Sequence, residues 1–314
     1  MRYLSADEAR LLTMWPKISP GAIIDIVAPS GRFENEVLDA VSRFLQQQGY
    51  IARIPADLLG SHDFLAASDE QRLKHLQCAL SAPDSEVIWC VRGGHGTTRL
   101  MSALLTLVKP AKPKLLVGFS DITTLHLWLN QVWQWPSLHG PMARQVALGL
   151  SDPRDVSALL SLWQSGVADY RLTGLRPLNN AAENSPSLTG TTAGTCLSLL
   201  QTSIGTPWQL QAQEKILFIE DINEAAYRLD RLLVHLANAN VWQGARAIIL
   251  GDFGENISAL AQIQIDCVLA EFAKSQRIPV FALKGFGHSF RNQPIPLGVA
   301  AKIESDAGLI SLIF

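Results

Sequence analysis

Cysteine is scarce in this sequence, and its spacing offers no metal motif. The four cysteines lie far apart and form neither a CxxC pair nor a Cys/His cluster; they are Cys78, Cys90, Cys196 and Cys267. Cysteine-based metal sites need closely spaced ligands, so the sequence predicts no metal site of this kind. We expect the thiols to be reduced and mostly buried.

Charge is also scarce, and neither sign dominates. Charged residues make up 17% of the chain and the net charge is −2, with no basic run. A basic patch is what attracts nucleic acid or an anionic membrane surface, so we expect neither as a partner. The sequence also lacks repeats and low-complexity segments, and 48% of its residues are hydrophobic, enough to bury a sizeable core.

Long uncharged apolar runs are missing as well. Asp7, Glu8 and Arg10 fall where a signal peptide requires an unbroken apolar core. The longest uncharged stretch of the first half, 122–143, contains two histidines and several amides, which argues against a membrane span. We therefore expect a cytoplasmic protein without a transmembrane helix.

The apolar segments of the first half alternate with amphipathic helical patterns. Between these helices lie predicted strands over 23–28, 51–54, 87–91 and 115–117. This alternation predicts a mostly parallel sheet that is covered on both faces. Ligands bind such sheets outside the carboxyl ends of the strands, where we expect three loops on one rim: 29–31, 92–96 and 119–121.

The chain length suits two domains, because a single core stops growing at roughly 250 residues and this chain has 314. We place an N-terminal domain at 1–165, a linker at 166–186, where Gly, Pro and Asn accumulate, and a C-terminal domain at 187–314. The pattern of the second half alone predicts another α/β unit, with strands over 215–219, 247–250 and 280–283.

Ser120 lies on the turn between the strand over 115–117 and the following helix. A serine here can be a nucleophile, since N–H groups at a helix start can stabilise developing negative charge. It can also be a helix cap, and from this stretch alone the cap is the favoured interpretation. The glycine loop over 92–96 lacks nucleotide-binding motifs; it either offers N–H groups to an anion or forms a simple tight turn.

A serine nucleophile needs a base, and His288 is the strongest candidate among the seven histidines. It follows a strand in a glycine-flanked loop, which is where functional side chains concentrate. His126 is one and a half turns into the helix after Ser120 and is predicted to be a packed core residue. His95 and His139 occupy loops and remain candidate binding residues.

The base in turn needs an acid, and Glu220 is best placed because it ends an apolar strand. A carboxylate there requires a partner, and an imidazolium is suitable. An ion pair with Arg228 or Arg231 is the alternative, and Asp221 and Asp252 are second choices for the acid. The chain order serine, acid, histidine is that of α/β-hydrolases, although the turn lacks the second glycine of GxSxG.

The chain resembles the LD-carboxypeptidases, the murein tetrapeptide carboxypeptidases that form a family of serine peptidases with a Ser-Glu-His triad. The resemblance rests on eight segments in family order: 26–31 (IVAPSG), 91–96 (VRGGHG), 118–121 (GFSD), 139–142 (HGPM), 204–208 (IGTPW), 218–224 (FIEDINE), 227–231 (YRLDR), and 287–288 (GH) with 296–298 (PLG). Each segment is weak alone, but eight in order make the match specific.

The resemblance implies that Ser120 is the nucleophile, Glu220 the acid and His288 the base. It also implies an oxyanion hole formed by the backbone N–H groups of Gly94 and Asp121. The family fold pairs an N-terminal Rossmann-like parallel-sheet domain with a smaller C-terminal domain built partly as a β-barrel. Many members are dimers, so we expect a homodimer with this α/β fold.

The implied reaction cleaves the L–D peptide bond before the terminal D-alanine of murein tetrapeptides, as in peptidoglycan recycling, through an acyl-enzyme and without a cofactor. Recognition of the substrate carboxylate suits an arginine, for which Arg92 is the first candidate and Arg291 the second. Gly93 and His95 are further candidate substrate contacts. The chain departs from the family pattern at His95, where an aromatic residue is common, and over 194–197 (GTCL), where Gly-Gly-Asn-Leu is frequent.

Two other functions fit the same residues. A relative of the microcin-immunity peptidases would use the triad on acyl-sulfamoyl-adenylate or related amides. A non-enzymatic protein would keep the fold and only hold a murein fragment, although an intact set of Ser120, Glu220 and His288 argues against it. The sequence leaves open a preference for diaminopimelate or lysine, the dimer surface, and the role of residues 1–20.

Overall fold

The computed structural model describes residues 15–185, 187–254, 257–306 and 308–314. Two β-sheets organise these residues, one an open and mostly parallel sheet and the other a closed barrel. The expected α/β fold, with a Rossmann-like first part and a partly barrel-like second part, is confirmed. Within the described ranges, no helix is long and apolar enough to cross a membrane.

Strands are numbered along the described chain. They are β1 (Ile23–Val27), β2 (Ile51–Arg53), β3 (Ser85–Cys90), β4 (Leu115–Gly118), β5 (Ser137–His139), β6 (Arg171–Pro177), β7 (Ser187–Cys196), β8 (Lys215–Asp221), β9 (Ala247–Phe253), β10 (Val280–Ala282), β11 (Ile295–Leu297), β12 (Ala300–Asp306) and β13 (Leu309–Ile313).

Helices are numbered in the same way. They are α1 (Glu36–Gln47), α2 (Asp69–Ser81), α3 (Met101–Leu104), α4 (Thr123–Trp128), α5 (Ala143–Ala147), α6 (Pro153–Ser165), α7 (Asn180–Glu183), α8 (Leu197–Thr202), α9 (Ala226–Asn238) and α10 (Ala259–Ser275). Short 3-10 turns precede α3 and α4, over Thr97–Leu100 and Ser120–Ile122.

The first sheet has the strand order β11-β5-β4-β3-β1-β2 and is parallel except for β11. The central strands of this sheet are buried on both faces, and every side chain over 87–91 is fully buried. Strands that are buried on both faces consist of unbroken apolar runs in the sequence. On one face Trp89 packs edge-on against Trp163 of α6, with ring centroids 5.3 Å apart. The carboxyl ends of β1, β3 and β4 open into the three predicted rim loops.

The second sheet closes into a barrel with the order β10-β6-β13-β12-β7-β8-β9. Strands β7 to β10 are parallel neighbours, whereas β6, β12 and β13 pair antiparallel. The strand–helix pattern therefore predicted only three of the four parallel strands, β8, β9 and β10. β7 escaped prediction because Gly and Thr dilute its apolar residues, so its sequence (SLTGTTAGTC) carries no apolar alternation.

The segment predicted as a linker, 166–186, differs in the structure, because it contains β6 and α7. β6 pairs with β13 and β10 and so belongs to the barrel wall. Its Gly, Pro and Arg residues resemble a loop composition, but Leu172 and Leu175 are buried and provide the inward-facing side chains. Pro186 itself lies outside the described residues.

A loop that crosses between the two sheets brings them together. Residues 283–294 lead from β10 in the barrel to β11, which pairs antiparallel with β5 at the edge of the first sheet. Ile295 lies opposite His139 in this pairing. The crossing loop therefore carries His288 from the barrel toward the rim of the first sheet.

The four cysteines are all reduced, as predicted, but only two are buried. Cys90 ends β3 and Cys196 ends β7, and both are enclosed, whereas Cys78 on α2 and Cys267 on α10 are exposed. The prediction of mostly buried thiols was thus wrong for the two helical cysteines, which lie on solvent-facing helix surfaces.

Candidate active site

The turn that carries Ser120 is strained. The φ of Ser120 is 64°, in the left-handed region that few residues other than glycine adopt. Strain of this kind is retained where a turn must present a side chain for function. Gly118 makes the turn possible, since a Cβ at this glycine would lie only 3.0 Å from the side chain of Ile122. Ile122 stands where GxSxG has its second glycine, and it fills the space that Gly118 leaves.

The glycine loop after β3 lies directly against Ser120. A Cβ built on Gly93 would lie 3.0 Å from the Cβ of Ser120 and 3.3 Å from its Oγ. The carbonyl of Gly93 accepts a hydrogen bond from the N–H of Gly31, at 3.1 Å. The next residue, Gly94, has a φ of 115°, which only glycine adopts readily. The two predicted rim loops and the serine turn therefore meet at one point.

Asp121 ties these loops to the serine turn. Its carboxylate accepts hydrogen bonds from the Ser30 hydroxyl and from the N–H of Thr97, the latter at 2.9 Å. The hydroxyl of Thr97 donates to the Asp121 carbonyl at 2.7 Å. Asp121 is buried, and its side chain serves all three loops rather than capping a helix.

Arg72 is a buried supporting residue that the sequence analysis missed. Its guanidinium donates to the carbonyl of Pro29 in the first rim loop and to that of Gly96 in the second, the latter at 3.1 Å. Asp69 pairs with it. A polar arginine on a helix face resembles an exposed residue in the sequence, and only the fold shows that it is enclosed by the two loops.

Glu220 and His288 form a hydrogen-bonded pair. Nδ1 of His288 lies 2.7 Å from Oε2 of Glu220, and Glu220 is fully buried. The alternative partners are engaged elsewhere, because Arg228 pairs with Glu224 at 2.7 Å and Arg231 lies over the Tyr227 ring. Glu220 therefore pairs with the predicted imidazole, and the alternative partners Arg228 and Arg231 contact other residues.

The imidazole of His288 also lies beside the serine turn. Phe119, the residue before Ser120, packs edge-on against it with ring centroids 4.9 Å apart. The Glu220–His288 pair therefore lies against the turn that carries Ser120, although Ser120 follows a strand of the first sheet and the other two residues belong to the barrel and its crossing loop.

Two further carboxylates flank this pair without replacing Glu220. Asp221 accepts N–H bonds from Ser198 and Ile222, each at 2.8 Å, and burial together with the nearby Glu220 charge raises its pKa to about 6. Asp252 accepts from Gly285 N–H at 3.1 Å and from the Ser289 hydroxyl at 2.9 Å. Asp252 therefore stabilises the loop around His288, and burial raises its pKa above the usual value.

The candidate substrate contacts fall in two different settings. Arg92 and His95 are exposed on the rim loop, and the Arg92 guanidinium donates to the Arg32 carbonyl. The His95 ring lies 6.3 Å from the exposed Phe64 ring. Arg291, by contrast, is bound by Asp155 through two 3.1 Å contacts. The charge of Arg291 is already matched within the protein, so Arg92 is the better candidate for an anionic substrate group.

The two histidines nearest the sheet are neutral core residues. His126 is fully buried, as predicted, and its Nε2 lies 2.9 Å from the Gly118 carbonyl at the end of β4. His139 is also fully buried, so it does not line an open loop as the sequence suggested. Burial lowers the pKa of His126 to about 3 and that of His139 to about 4.

Comparison with known proteins extends the resemblance across the chain. Residues 24–140 match the LD-carboxypeptidase N-terminal domain and residues 189–303 match the LD-carboxypeptidase C-terminal domain. A putative carboxypeptidase of Rickettsia prowazekii is 38% identical over 89% of this chain and 86% of its own length. The microcin C7 self-immunity protein of Escherichia coli is 28% identical over 86% of each chain.

A solved structure agrees with these matches. Muramoyltetrapeptide carboxypeptidase from Oxalobacter formigenes has a TM-score of 0.78 and 27% identity to this chain, covering 93% of it and 98% of its own length. Both domain matches occur in the same order, one over the parallel sheet and one over most of the barrel. The chain therefore belongs to the LD-carboxypeptidase family and is a hydrolase of the peptidase class.

Proposed function

We propose that the protein is a serine LD-carboxypeptidase that releases the terminal D-alanine of murein tetrapeptides. The observation that carries this proposal is the Glu220–His288 pair, 2.7 Å apart, beside a strained turn that presents Ser120. A base that is oriented by a buried acid and lies next to a partly exposed serine is the arrangement that activates a serine. The name of the Oxalobacter formigenes relative supports a murein tetrapeptide as substrate.

In the proposed first step, Nε2 of His288 takes the proton of the Ser120 hydroxyl as Oγ attacks the carbonyl before D-alanine. Glu220 accepts the Nδ1–H bond and stabilises the imidazolium that forms. The N–H groups of Gly94 and Asp121 stabilise the oxyanion, each by on the order of 3 kcal/mol. His288 then protonates the leaving amine, so that D-alanine departs and an ester remains on Ser120.

In the proposed second step, water hydrolyses this ester. His288 takes a proton from the water, and the resulting hydroxide attacks the acyl carbon. Collapse of the second tetrahedral intermediate returns the proton to Ser120 and releases the tripeptide. Arg92 is proposed to bind the free carboxylate of D-alanine, because its guanidinium is exposed on the rim beside Gly93 and Gly94.

The test of this function is release of D-alanine from the free tetrapeptide by the purified protein. We expect release by the wild type, none above background from Ser120→Ala, and none from a peptide that ends in L-alanine. Glu220→Gln and His288→Gln should fold and lose activity, because each removes one partner of the pair. Failure of the wild type to release D-alanine, with the protein folded, would contradict the proposal.

A second substrate class is favoured by the 28% identity to the microcin C7 self-immunity protein. The same residues would cleave an acyl-sulfamoyl-adenylate amide by the same two steps. Parallel assays with the tetrapeptide and an aminoacyl-sulfamoyl-adenosine distinguish the two, and a higher kcat/KM for the conjugate would favour this alternative. A protein that only holds murein fragments would turn over neither compound and would not react with a fluorophosphonate at Ser120.

A further inference from the structure

A buried amide, that of Asn292, connects the loop that carries His288 to the first sheet. Only 4% of this residue is exposed, and it lies four positions after the histidine. Its Oδ1 accepts a hydrogen bond from the N–H of Gly287 at 3.2 Å and lies 2.8 Å from Nε2 of His139. One side-chain oxygen therefore joins the residue next to His288 to the strand β5.

The direction of the two hydrogen bonds is fixed by the chemistry of the groups. Gly287 N–H can only donate, so the amide atom that faces it is the oxygen. Since burial lowers the pKa of His139 to about 4, its imidazole is neutral and has a single N–H. Because Oδ1 only accepts, that hydrogen is on Nε2 of His139. Asn292 is thus a double acceptor between two donors of different sheets.

Packing holds His139 in place for this contact. Its ring lies 5.5 Å from the Phe119 ring and 4.9 Å from the Phe286 ring, measured between centroids. Phe119 itself packs against the His288 imidazole at 4.9 Å. The residue before the nucleophile, the buried histidine and the candidate base therefore form one continuous cluster.

The backbone of Asn292 is anchored as well. Its N–H donates to Oδ2 of Asp155 in α6 at 2.7 Å, and the neighbouring Arg291 donates to the same carboxylate at 3.1 Å. Asp155 is 2% exposed, so this contact belongs to the interior. Both attachments of the loop thus lead to the side of the molecule that bears Ser120.

The residue before the base is a glycine, Gly287, and this glycine gives the attachment its role. Gly287 has a φ of 140°, and a Cβ built on it would lie 3.4 Å from the Cβ and Oε2 of Glu220. The glycine lets the backbone pass close to the acid, but it supplies no side chain that could fix the loop. Its N–H bond to Asn292 provides this restraint one residue before His288.

We propose that Asn292, through Gly287 N–H and His139, is a positioning residue that sets the place of the His288 imidazole relative to Ser120. The inference rests on the proposed catalytic roles of Ser120 and His288. Loss of Oδ1 releases the loop at the residue next to the base and leaves two buried donors without an acceptor. A displacement of about 1 Å in a reacting group lowers its rate by about 100-fold.

The test measures the rate at which a fluorophosphonate labels Ser120, together with kcat, KM and the melting temperature. In the Asn292→Ala variant, the fluorophosphonate should label Ser120 about 100-fold more slowly. The kcat of this variant should fall to a similar extent, whereas its KM should change by less than about threefold. His139→Leu, which removes the donor, should slow labelling, whereas His139→Gln, which keeps an N–H donor at the same reach, should restore most of the rate.

Asn179→Ala is the matched control. Asn179 also bridges loops with its amide, donating to the carbonyls of Ala273 and Ile278 and accepting from Val280 N–H, but it does so in the barrel away from His288. We expect this variant to have a lower melting temperature than the wild type, whereas Ser120 should be labelled at the wild-type rate.

Different results of this experiment would overturn either the role of Asn292 or the proposed function. An Asn292→Ala protein that is folded and labels as fast as the wild type overturns the inference, as does equal slowing by His139→Gln and His139→Leu. Slowing in the Asn179→Ala control to the same extent would also overturn it, because the effect would then follow stability alone. Labelling of the wild type that persists in Ser120→Ala would instead overturn the proposed function.

Discussion

At the scale of the residue, the candidate nucleophile Ser120 has a strained backbone. Its φ of 64° is unfavourable because the Cβ crowds the backbone in the left-handed region. A backbone of this kind is typical of sites where a turn presents a side chain for function, which is what a nucleophile at the rim requires. The helix-cap interpretation explains a serine at a helix start but does not explain the positive φ.

Two substitutions at this position separate strain from chemistry. Ser120→Ala and Ser120→Gly should both lack activity, but the glycine variant should be more stable than the alanine variant by about 1 kcal/mol, because only alanine keeps the Cβ. Urea unfolding followed by circular dichroism measures the difference. An alanine variant as stable as the glycine variant would show that the serine turn is not strained.

Gly93 offers a second test at the residue scale. In Gly93→Ala the new methyl group would lie 3.3 Å from Oγ of Ser120, so we expect the serine to shift and labelling by a fluorophosphonate to slow by about 100-fold. Gly140→Ala is the control, since its Cβ would meet nothing nearer than 3.5 Å. Equal labelling rates in the two variants would contradict the close contact between Gly93 and Ser120.

At the scale of the element, α4 is attached to the end of β4 by a buried histidine. Nε2 of His126 donates to the Gly118 carbonyl, which also accepts from Gly140 N–H at 3.2 Å. The helix therefore holds the strand end from which the serine turn departs. Burial lowers the pKa of His126 to about 3, so its imidazole makes this contact in the neutral form.

Because of His126, the free energy of unfolding decreases as the pH decreases. Between about pH 6.5 and 3 the unfolded chain binds a proton at His126 and the folded chain does not, so the free energy of unfolding falls as the pH falls. From pH 6.5 to 5 the loss is about 2 kcal/mol for this residue. His139, with a pKa of about 4, acts in the same direction, whereas Asp221, with a pKa of about 6, acts in the opposite one.

Because these groups oppose one another, the test compares two proteins. In His126→Gln the amide keeps a donor for Gly118 but cannot titrate, so its stability should fall by about 2 kcal/mol less than that of the wild type between pH 6.5 and 5. Urea unfolding at the two pH values gives both differences. Parallel pH dependence of the two proteins would rule out a neutral His126 in the fold.

The sequence predicts some elements of this fold better than others, for physical reasons. Strand β4 and the turn at Ser120 are local, because an apolar run that ends at glycine before a helical pattern is visible within ten residues. Strands β6 and β7 cannot be recognised in this way, because Gly, Thr and Pro interrupt the alternation of their apolar residues. These segments form strands because they pair with barrel strands that are distant in the chain. Arg72 is missed for a related reason, because its burial depends on two loops that it contacts far along the chain.

At the scale of the whole molecule, the candidate site exists only because two sheets share a loop. Ser120 follows β4 of the first sheet, Glu220 lies in β8 of the barrel, and His288 lies on the crossing loop that ends in β11. Residue types and chain order suggested this combination, and the family resemblance made it specific. The convergence itself follows from the pairing of β11 with β5, which sequence patterns do not reveal.

The same organisation explains why the candidate substrate arginines differ. Arg92 lies on a rim loop of the first sheet and keeps an exposed guanidinium, whereas Arg291 lies on the crossing loop, where Asp155 of α6 binds it. The sequence analysis placed Arg92 first and Arg291 second, although each follows a strand near a glycine. Only the arrangement of the two sheets shows that Arg92 lies on the rim and Arg291 on the loop that connects the sheets.

Covalent labelling shows whether Ser120 is a nucleophile that His288 and Glu220 activate. The protein is treated with a fluorophosphonate, and mass spectrometry counts the adducts and identifies the labelled peptide. We predict one adduct per chain, on Ser120, with labelling abolished in Ser120→Ala and strongly slowed in Glu220→Gln and His288→Gln. An adduct on another residue, or a folded wild-type protein that releases D-alanine but is not labelled, would contradict the account.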